Sequence, residues 1–316
     1  MVYKGGKSYF IEKFTHLVKN IFAVLLWYTM YLRKLSRIDI KYIHINSLTL
    51  WPLLLMIPKK YKTIIHCREI LDEKSSPIYC KFVRYVIIKR SDLIIAIDKL
   101  TAEPFEPYTS KVKTIDNPFD MCEAKNLKYN SYHDICKKYN LDPSKSYVSL
   151  VGNIQHIKGH TFYLEFAKEF IKNDRYIFLI VGDGRGEYAE TIKYQLGLIP
   201  NIVWLGYVEL IEEIYAITHT LVRCEDYLPL GRTVWEAYYS GCNILLPYRE
   251  YDNVQSIINN DGFYLYKAND LLSFKDKLKQ IELDTNGYKN KYLMNRPCDN
   301  INKAINEFIK CINVLY

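Results

Sequence analysis

The chain has 316 residues, 49% of them apolar and 15% aromatic, which is ample for two packed domains and excludes the disordered class. Its net charge of +8 is unevenly held: residues 1–145 carry 25 basic and 14 acidic side chains, the remainder 18 and 21, so the first half offers a face to an anionic partner or a solvated lysine-rich surface. The eight cysteines form no CxxC pair and no metal-ligand spacing with histidine, and no secretory signal precedes them. Reduced thiols in a cytoplasmic protein, peripheral on the inner face of a membrane or free of it, are the expectation.

In chain order, the most apolar stretch is Ile21 to Leu32, about a dozen residues where a membrane span needs about 20. A core helix or a surface-lying one is expected instead. Phe14, Leu17, Val18, Ile21, Phe22 and Leu25 recur at helical spacing, flanked by Lys19, Arg33, Lys34 and Arg37. Such a stripe suits core packing, with docking on an anionic membrane surface as the alternative. YIHIN (42–46), TIIHC (63–67), LIIAI (93–97) and VKTI (112–115) then read as strands, with a helical stretch, residues 78–90, between the second and third. Residues 117–146, containing NPFD and a short helix before LDPSKS, read as a linker.

From Tyr147 onward strand and helix alternate six times, the strands being YVSLVG, YIFLIVG, IVWLG, TLVR, NILLP and FYLYK. Continuous apolar strands alternating with helices predict parallel sheets covered on both faces, the doubly wound α/β plan. Two Rossmann-like domains follow. The expected boundaries are 1–116, a linker 117–146, a second domain 147–297, and a C-terminal helix 298–316 that is a candidate to pack back on the first domain.

In this fold class ligands bind at the carboxyl ends of strands, against helix N-termini. The candidate loops are therefore VGNIQHIKGH (151–160), VGDGRGE (181–187) and RCEDYLPLGRT (223–233). Glycines at 182, 184 and 186 do not match GxGxxG, so NAD binding is poorly supported. In the third loop Gly231 breaks the chain and Thr233 is a plausible N-cap, which sets Arg232 at an electropositive helix end. A cation there costs about 0.3 to 1 kcal/mol unless an anion shares the site.

These loops, with IHINS (43–47), TIIHCRE (63–69), SDLIIAID (91–98), VKTIDNPFD (112–120), IVWLGYV (202–208) and GRTVWEAYYSGCNILLP (231–247), occur in an order and spacing that resembles glycosyltransferase family 4, the retaining group 1 enzymes on the GT-B fold. Coverage runs from about residue 40 to the end. The resemblance implies two domains facing across a cleft, with the acceptor on the basic N-terminal side. It makes Lys158 the lysine that binds the donor diphosphate, Glu236 the acceptor of the ribose hydroxyls, Gly231 the residue whose amides approach the phosphates, and His66 the N-domain histidine near the donor sugar. Gly152, Asn153, Gly182, Asp183, Tyr207, Glu225, Arg232 and Thr233 complete the implied donor site, with His66, Lys158 and Arg232 as the catalytic set.

Two departures stand out: Asn153 occupies the place of the family's arginine, which helps hold the diphosphate, and Leu228 that of a glutamate contacting the sugar. Glu225 and Asp226 lie nearby as stand-ins, and Arg232 is a candidate for the missing cation. Gly5 and Gly6 have only four residues before them where the family opens with a strand, so a shortened N-terminal domain is expected. The implied reaction is retaining, hexosyltransferase-like transfer from a UDP- or GDP-linked sugar to a glycan or lipid-linked acceptor, with no cofactor, no metal and no nucleic-acid partner. A non-catalytic nucleotide-sugar-binding relative is the principal alternative, ahead of an epimerase or phosphorylase of the same architecture.

Overall fold

The computed structural model describes residues 39–71, 76–224, 230–249, 262–288 and 296–315, together with Lys19, Phe22 and Leu26. Those residues form two units, one of residues 1–117 and 304–316 and the other of residues 118–303. Of the apolar N-terminal stripe only Phe22 is described, helical and 68% exposed, so that ring is not core, and the nearby Lys19 and Leu26 are helical and exposed as well. Phe14, Leu17, Val18, Ile21, Leu25, Arg33, Lys34 and Arg37 lie outside the described residues.

The first unit holds four parallel strands in the order β1 (Tyr42–Ile45), β2 (Lys62–Cys67), β3 (Leu93–Ala96), β4 (Val112–Thr114). A 3-10 segment, Leu48–Leu55, links β1 to β2, and α1 (Pro77–Arg90) links β2 to β3. Pro77 suits a first helical turn, whose N–H groups have no partner anyway, and Lys89 with Arg90 complement the dipole at the other end. The apolar runs in β2 and β3 alternate between the two faces of the sheet. Ile65, Cys67 and Ile94 pack with Val83, Val86 and Ile87 of α1. Ile64, Leu93 and Ile95 pack with Ala304, Phe308 and Ile312 of α9 (Ile301–Asn313), the last helix of the described chain.

The second unit is a six-stranded parallel sheet in the order β10 (Phe263–Lys267), β9 (Asn243–Tyr248), β8 (Thr218–Val222), β5 (Ser146–Val151), β6 (Tyr176–Val181), β7 (Ile202–Gly206). Here too, neighbours in sequence face opposite layers. Val148, Phe178, Val222 and Leu245 enter the core under α4 (His160–Glu169), α5 (Glu187–Leu196) and α8 (Leu271–Tyr288). Tyr147, Leu179, Leu221 and Ile244 enter the cores under α6 (Ile211–Ile217) and α7 (Arg232–Tyr239). Two buried faces explain why the strands read as unbroken apolar runs.

The stretch expected as a linker is mostly helical and packs on this unit. Within it, α2 (Cys122–Asn130) and α3 (Tyr132–Lys138) lie against α6, and Lys128 donates to the carbonyls of Thr218 and Gly241, both at 3.1 Å. The expectation of eight reduced thiols is corrected as well: Cys122 and Cys298 form a disulfide, their Cα atoms 4.8 Å apart although 176 residues separate them. The Asp120↔Asp299 bridge brings the two segments together, which no local spacing in the sequence announces. Among the described residues no helix is long and apolar enough to cross a membrane.

Candidate functional site

In the second unit the strand order reverses between β5 and β8, so the loops leaving their carboxyl ends diverge and open a cleft. Three glycines set its shape. Gly182, with φ +130°, lies so close to the β5 loop that an added Cβ would stand 2.2 Å from the Gly152 carbonyl. This permits the Ile154 amide to donate to the Asp183 carbonyl at 3.0 Å, interlocking the two loops. Gly159, with φ +71°, is pressed against the end of β8, where an added Cβ would lie 2.5 Å from the Cys224 carbonyl.

The cleft is lined by Lys158, Arg223, Cys224, Thr233 and Val234. Lys158 immediately precedes Gly159, so the contact with Cys224 carries it toward Arg223. Arg223 is 6% exposed, and its backbone is fixed on both sides: its amide donates to the Leu245 carbonyl at 3.0 Å, and its carbonyl accepts from the buried Tyr266 hydroxyl at 2.8 Å. Sequence reasoning missed Arg223. The available signal was a basic residue ending the otherwise apolar strand TLVR, at the switch point.

Helix α7 begins one residue earlier than expected. Gly231 is its N-cap and Arg232 its first residue, while Thr233, expected as the cap, is inside the first turn. Gly231 has φ −69°, and an added Cβ would meet only Thr233 Oγ1 at 3.8 Å, so nothing in the chain demands glycine there. Its lack of a side chain leaves open space before the first amides of the helix.

Arg232 finds its anion within the helix, where its Nε donates to Glu236 Oε1 at 3.2 Å while the guanidinium lies 5.1 Å from the Phe119 ring centroid. The other carboxylate oxygen, Oε2, accepts from the Tyr215 hydroxyl at 3.1 Å. Burial first, and Glu236 second, push the Tyr215 phenol up, so it stays a neutral donor. Glu236 is thus held at both oxygens, each with lone-pair capacity left for a further donor.

The remaining expected residues are more dispersed. Asn153 is exposed in the β5 loop. Asp183 is tied to its own turn, accepting from the Gly184 amide at 2.7 Å and pairing with Lys193 at 2.9 Å, and these partners hold its carboxyl below the usual range. Tyr207 is 81% exposed beyond the edge strand β7 and does not line the cleft. Glu225, Asp226 and Leu228 lie outside the described residues. In the first unit His66 sits at the carboxyl end of β2, 8% exposed and stacked on His44 at 5.6 Å. Burial, then the nearby Arg68 and His44, lower its pKa to about 4, and neither ring nitrogen has a hydrogen-bond partner among the described residues.

Comparison with known proteins agrees with this architecture. The sequence model of the family described as glycosyl transferases group 1 matches residues 132–296, just over half of the chain. An uncharacterized glycosyltransferase of Methanocaldococcus jannaschii is 22% identical over 213 residues, covering 64% of this chain. The match covers 54% of that protein, so the chain spans about half the length of this curated relative. Among solved structures, HepE of Anabaena in complex with UDP-glucose superposes with a TM-score of 0.68 at 16% identity, covering 87% of this chain and 78% of that one. The lipopolysaccharide outer core galactosyltransferase WaaB, in its apo form, gives 0.63 at 13% identity, covering 95% and 82%. At such identities the likeness is one of fold, the GT-B type with two Rossmann-like domains.

Proposed function

Because the chain belongs to the glycosyl transferases group 1 family, we propose that it transfers a sugar from a nucleoside diphosphate sugar to the hydroxyl of a glycan or lipid-linked acceptor, with retention at the anomeric carbon. The observation that carries this reading is the meeting of Lys158, Arg223 and the first turn of α7 in one cleft, with Glu236 held on the same helix.

The barrier to such a transfer lies in parting an oxocarbenium-like sugar from a dianionic leaving group. Charge gathering on the departing diphosphate is what the site must stabilise, and preoriented cations and helix amides do so without reorganising at the moment of reaction. Lys158 and Arg223 are the cations in this scheme. Arg223 fills the part that Asn153 leaves empty, and Arg232 serves as a positioning residue for Glu236. Glu236 accepts the ribose hydroxyls. His66 keeps the role that the family resemblance gives it, a hydrogen bond to the donor sugar; its ring is neutral, and neither nitrogen has a hydrogen-bond partner among the described residues. UDP is favoured over GDP as the nucleotide because HepE, similar in fold, binds UDP-glucose.

The test is calorimetric titration of UDP, GDP and uridine, followed by release of free nucleotide from UDP-sugars with and without candidate acceptors. Micromolar UDP binding with acceptor-dependent release supports the reading. UDP binding without hydrolysis or transfer to any acceptor would favour a non-catalytic relative, the alternative that Asn153 supports. No nucleotide binding would overturn both.

A further inference from the structure

A surface helix in a soluble domain buries one face and turns charge to water on the other. Helix α1 does not. Its inner face, with Val83, Val86 and Ile87, is core, yet its outer face presents Ile78 at 85% exposure, Tyr79 at 51%, Phe82 at 52% and Tyr85 at 57%. The 3-10 segment Leu48–Leu55 lies alongside and extends the same face. Trp51 of that segment donates from Nε1 to the Tyr79 hydroxyl at 3.1 Å and packs edge-on against Phe82, and the segment exposes Leu50 at 45% and Leu55 at 51%. Single exposed apolar residues need no explanation, but a contiguous group of this size does.

Within the two segments that form this patch the charge has one sign, the nearby carboxylates being Glu69, which accepts from the Leu48 amide, and Asp92, which pairs with Lys62. Residues 48–62 and 76–90 together contain seven lysines and arginines and not one aspartate or glutamate. Three of the seven are engaged elsewhere, Lys62 with Asp92 at 3.0 Å, Arg84 with the Pro104 carbonyl and the Tyr108 ring, and Arg90 with the carbonyls of Leu54 and Ile57, both at 2.9 Å. Lys59, Lys60, Lys81 and Lys89 remain exposed at the rim, and Lys89 lies over the Tyr85 ring and donates to its hydroxyl at 2.8 Å. Aliphatic and phenolic side chains in the middle, lysines at the margin and no carboxylate within either segment form the pattern of an element lying in a membrane interface, with its apolar side among acyl chains and its ammonium groups at the phosphates. A protein partner of ordinary composition would leave the excess of exposed lysines without a reason.

We propose that the outer face of α1, with Leu50 and Leu55 beside it, docks the first unit on a bilayer of anionic phospholipid. The proposal goes beyond the sugar-transfer reading and does not depend on it. The helix has 14 residues and lies on the surface rather than crossing it.

Co-sedimentation of the full chain with vesicles of mixed phosphatidylglycerol and phosphatidylcholine, and of phosphatidylcholine alone, tests it at low and high salt. The expected result is binding to the anionic vesicles that fades with salt. Lys81→Gln/Lys89→Gln should weaken it roughly thirtyfold, from about fivefold per cation near a charged surface. Leu55→Ser/Ile78→Ser should weaken it at least about tenfold through lost apolar burial. Both pairs should keep the wild-type melting temperature, because the four side chains are exposed. Absence of vesicle binding, equal binding to neutral vesicles, or wild-type binding by the Leu55→Ser/Ile78→Ser variant would overturn the proposal; the last outcome would move the membrane contact to another segment, residues 14–37 included. A dimer in sedimentation velocity that the same variant abolishes would overturn it too, by making a second copy the occupant.

Discussion

Glu236→Gln isolates the ribose end of the proposed donor site from the diphosphate end. In the wild type one carboxylate oxygen accepts from Tyr215 and the other from Arg232. The amide keeps one acceptor oxygen, which the buried Tyr215 hydroxyl retains, while the position facing Arg232 becomes a donor. One charge-assisted bond to a ribose hydroxyl is lost, worth about 1.5 to 3 kcal/mol, so the Kd for UDP should rise roughly ten- to 150-fold. The cost to the empty protein is much smaller. The Arg232 side chain is 55% exposed, and an exposed i,i+4 pair contributes about 0.3 to 0.5 kcal/mol, which lowers Tm by about 1 to 2 °C in a unit of this size. Because the ribose contact is the same in ground and transition states, KM should rise more than kcat falls. Isothermal titration with UDP, alongside a melting curve, is the assay. An affinity within about twofold of wild type, with Tm unchanged, would remove Glu236 from the site and refute the argument.

Arg232→Leu should leave the empty protein's Tm nearly unchanged, because the lost ion pair and Phe119 contact are offset by removing a cation from a helix N-terminus, and it should weaken UDP less than Glu236→Gln does. The double variant should be no worse than Glu236→Gln alone, and calorimetry showing additive losses would mean that the guanidinium touches the donor directly. Lys158→Gln and Arg223→Gln should each weaken UDP by roughly ten- to a hundredfold while leaving the weak binding of uridine, which has no phosphate, unaltered; equal losses for both ligands would point to a damaged fold instead. His66 and His160 each have a pKa lowered from 6.5 to about 4, chiefly by burial, so both rings stay neutral in the folded protein where the unfolded chain already takes up protons. Their contribution is therefore present above about pH 6.5 and lost as pH falls toward 4, up to about 3 kcal/mol per ring, and His160→Phe should flatten the fall of Tm with pH in that window. Thiol titration of the denatured, unreduced protein should find six cysteines, and eight would show that Cys122 and Cys298 are not joined.

The strands were legible because each is buried on two faces: YIFLIV carries no polar residue that might disguise it, and its partners repeat the pattern at regular intervals. The β5 and β6 loops were legible for a related reason, since Gly152, Gly159 and Gly182 take backbone angles that other residues rarely adopt. What stayed hidden was long-range. Residues 117–146 are polar and lysine-rich enough to read as a linker, yet Lys128 caps carbonyls 90 and 113 residues further along the chain. Arg232 reads from the sequence as a cation sharing its site with the donor diphosphate, whereas in the folded chain it pairs with Glu236, four residues on. Arg223 escaped because a basic residue at a strand end looks like a boundary until the sheet order places it at the reversal between β5 and β8.

The helix α9 packs Ala304, Phe308 and Ile312 against Ile64, Leu93 and Ile95, strand residues encoded some two hundred positions earlier. As the chain leaves the ribosome, that face of the first sheet has nothing to cover it until the whole second unit has been made. The core residues of the second unit all precede residue 304, so its core can be completed before that of the first unit. Residues 304–315 therefore supply the last part of the first unit's core to be synthesised, and a chain shortened before them would leave that sheet face uncovered.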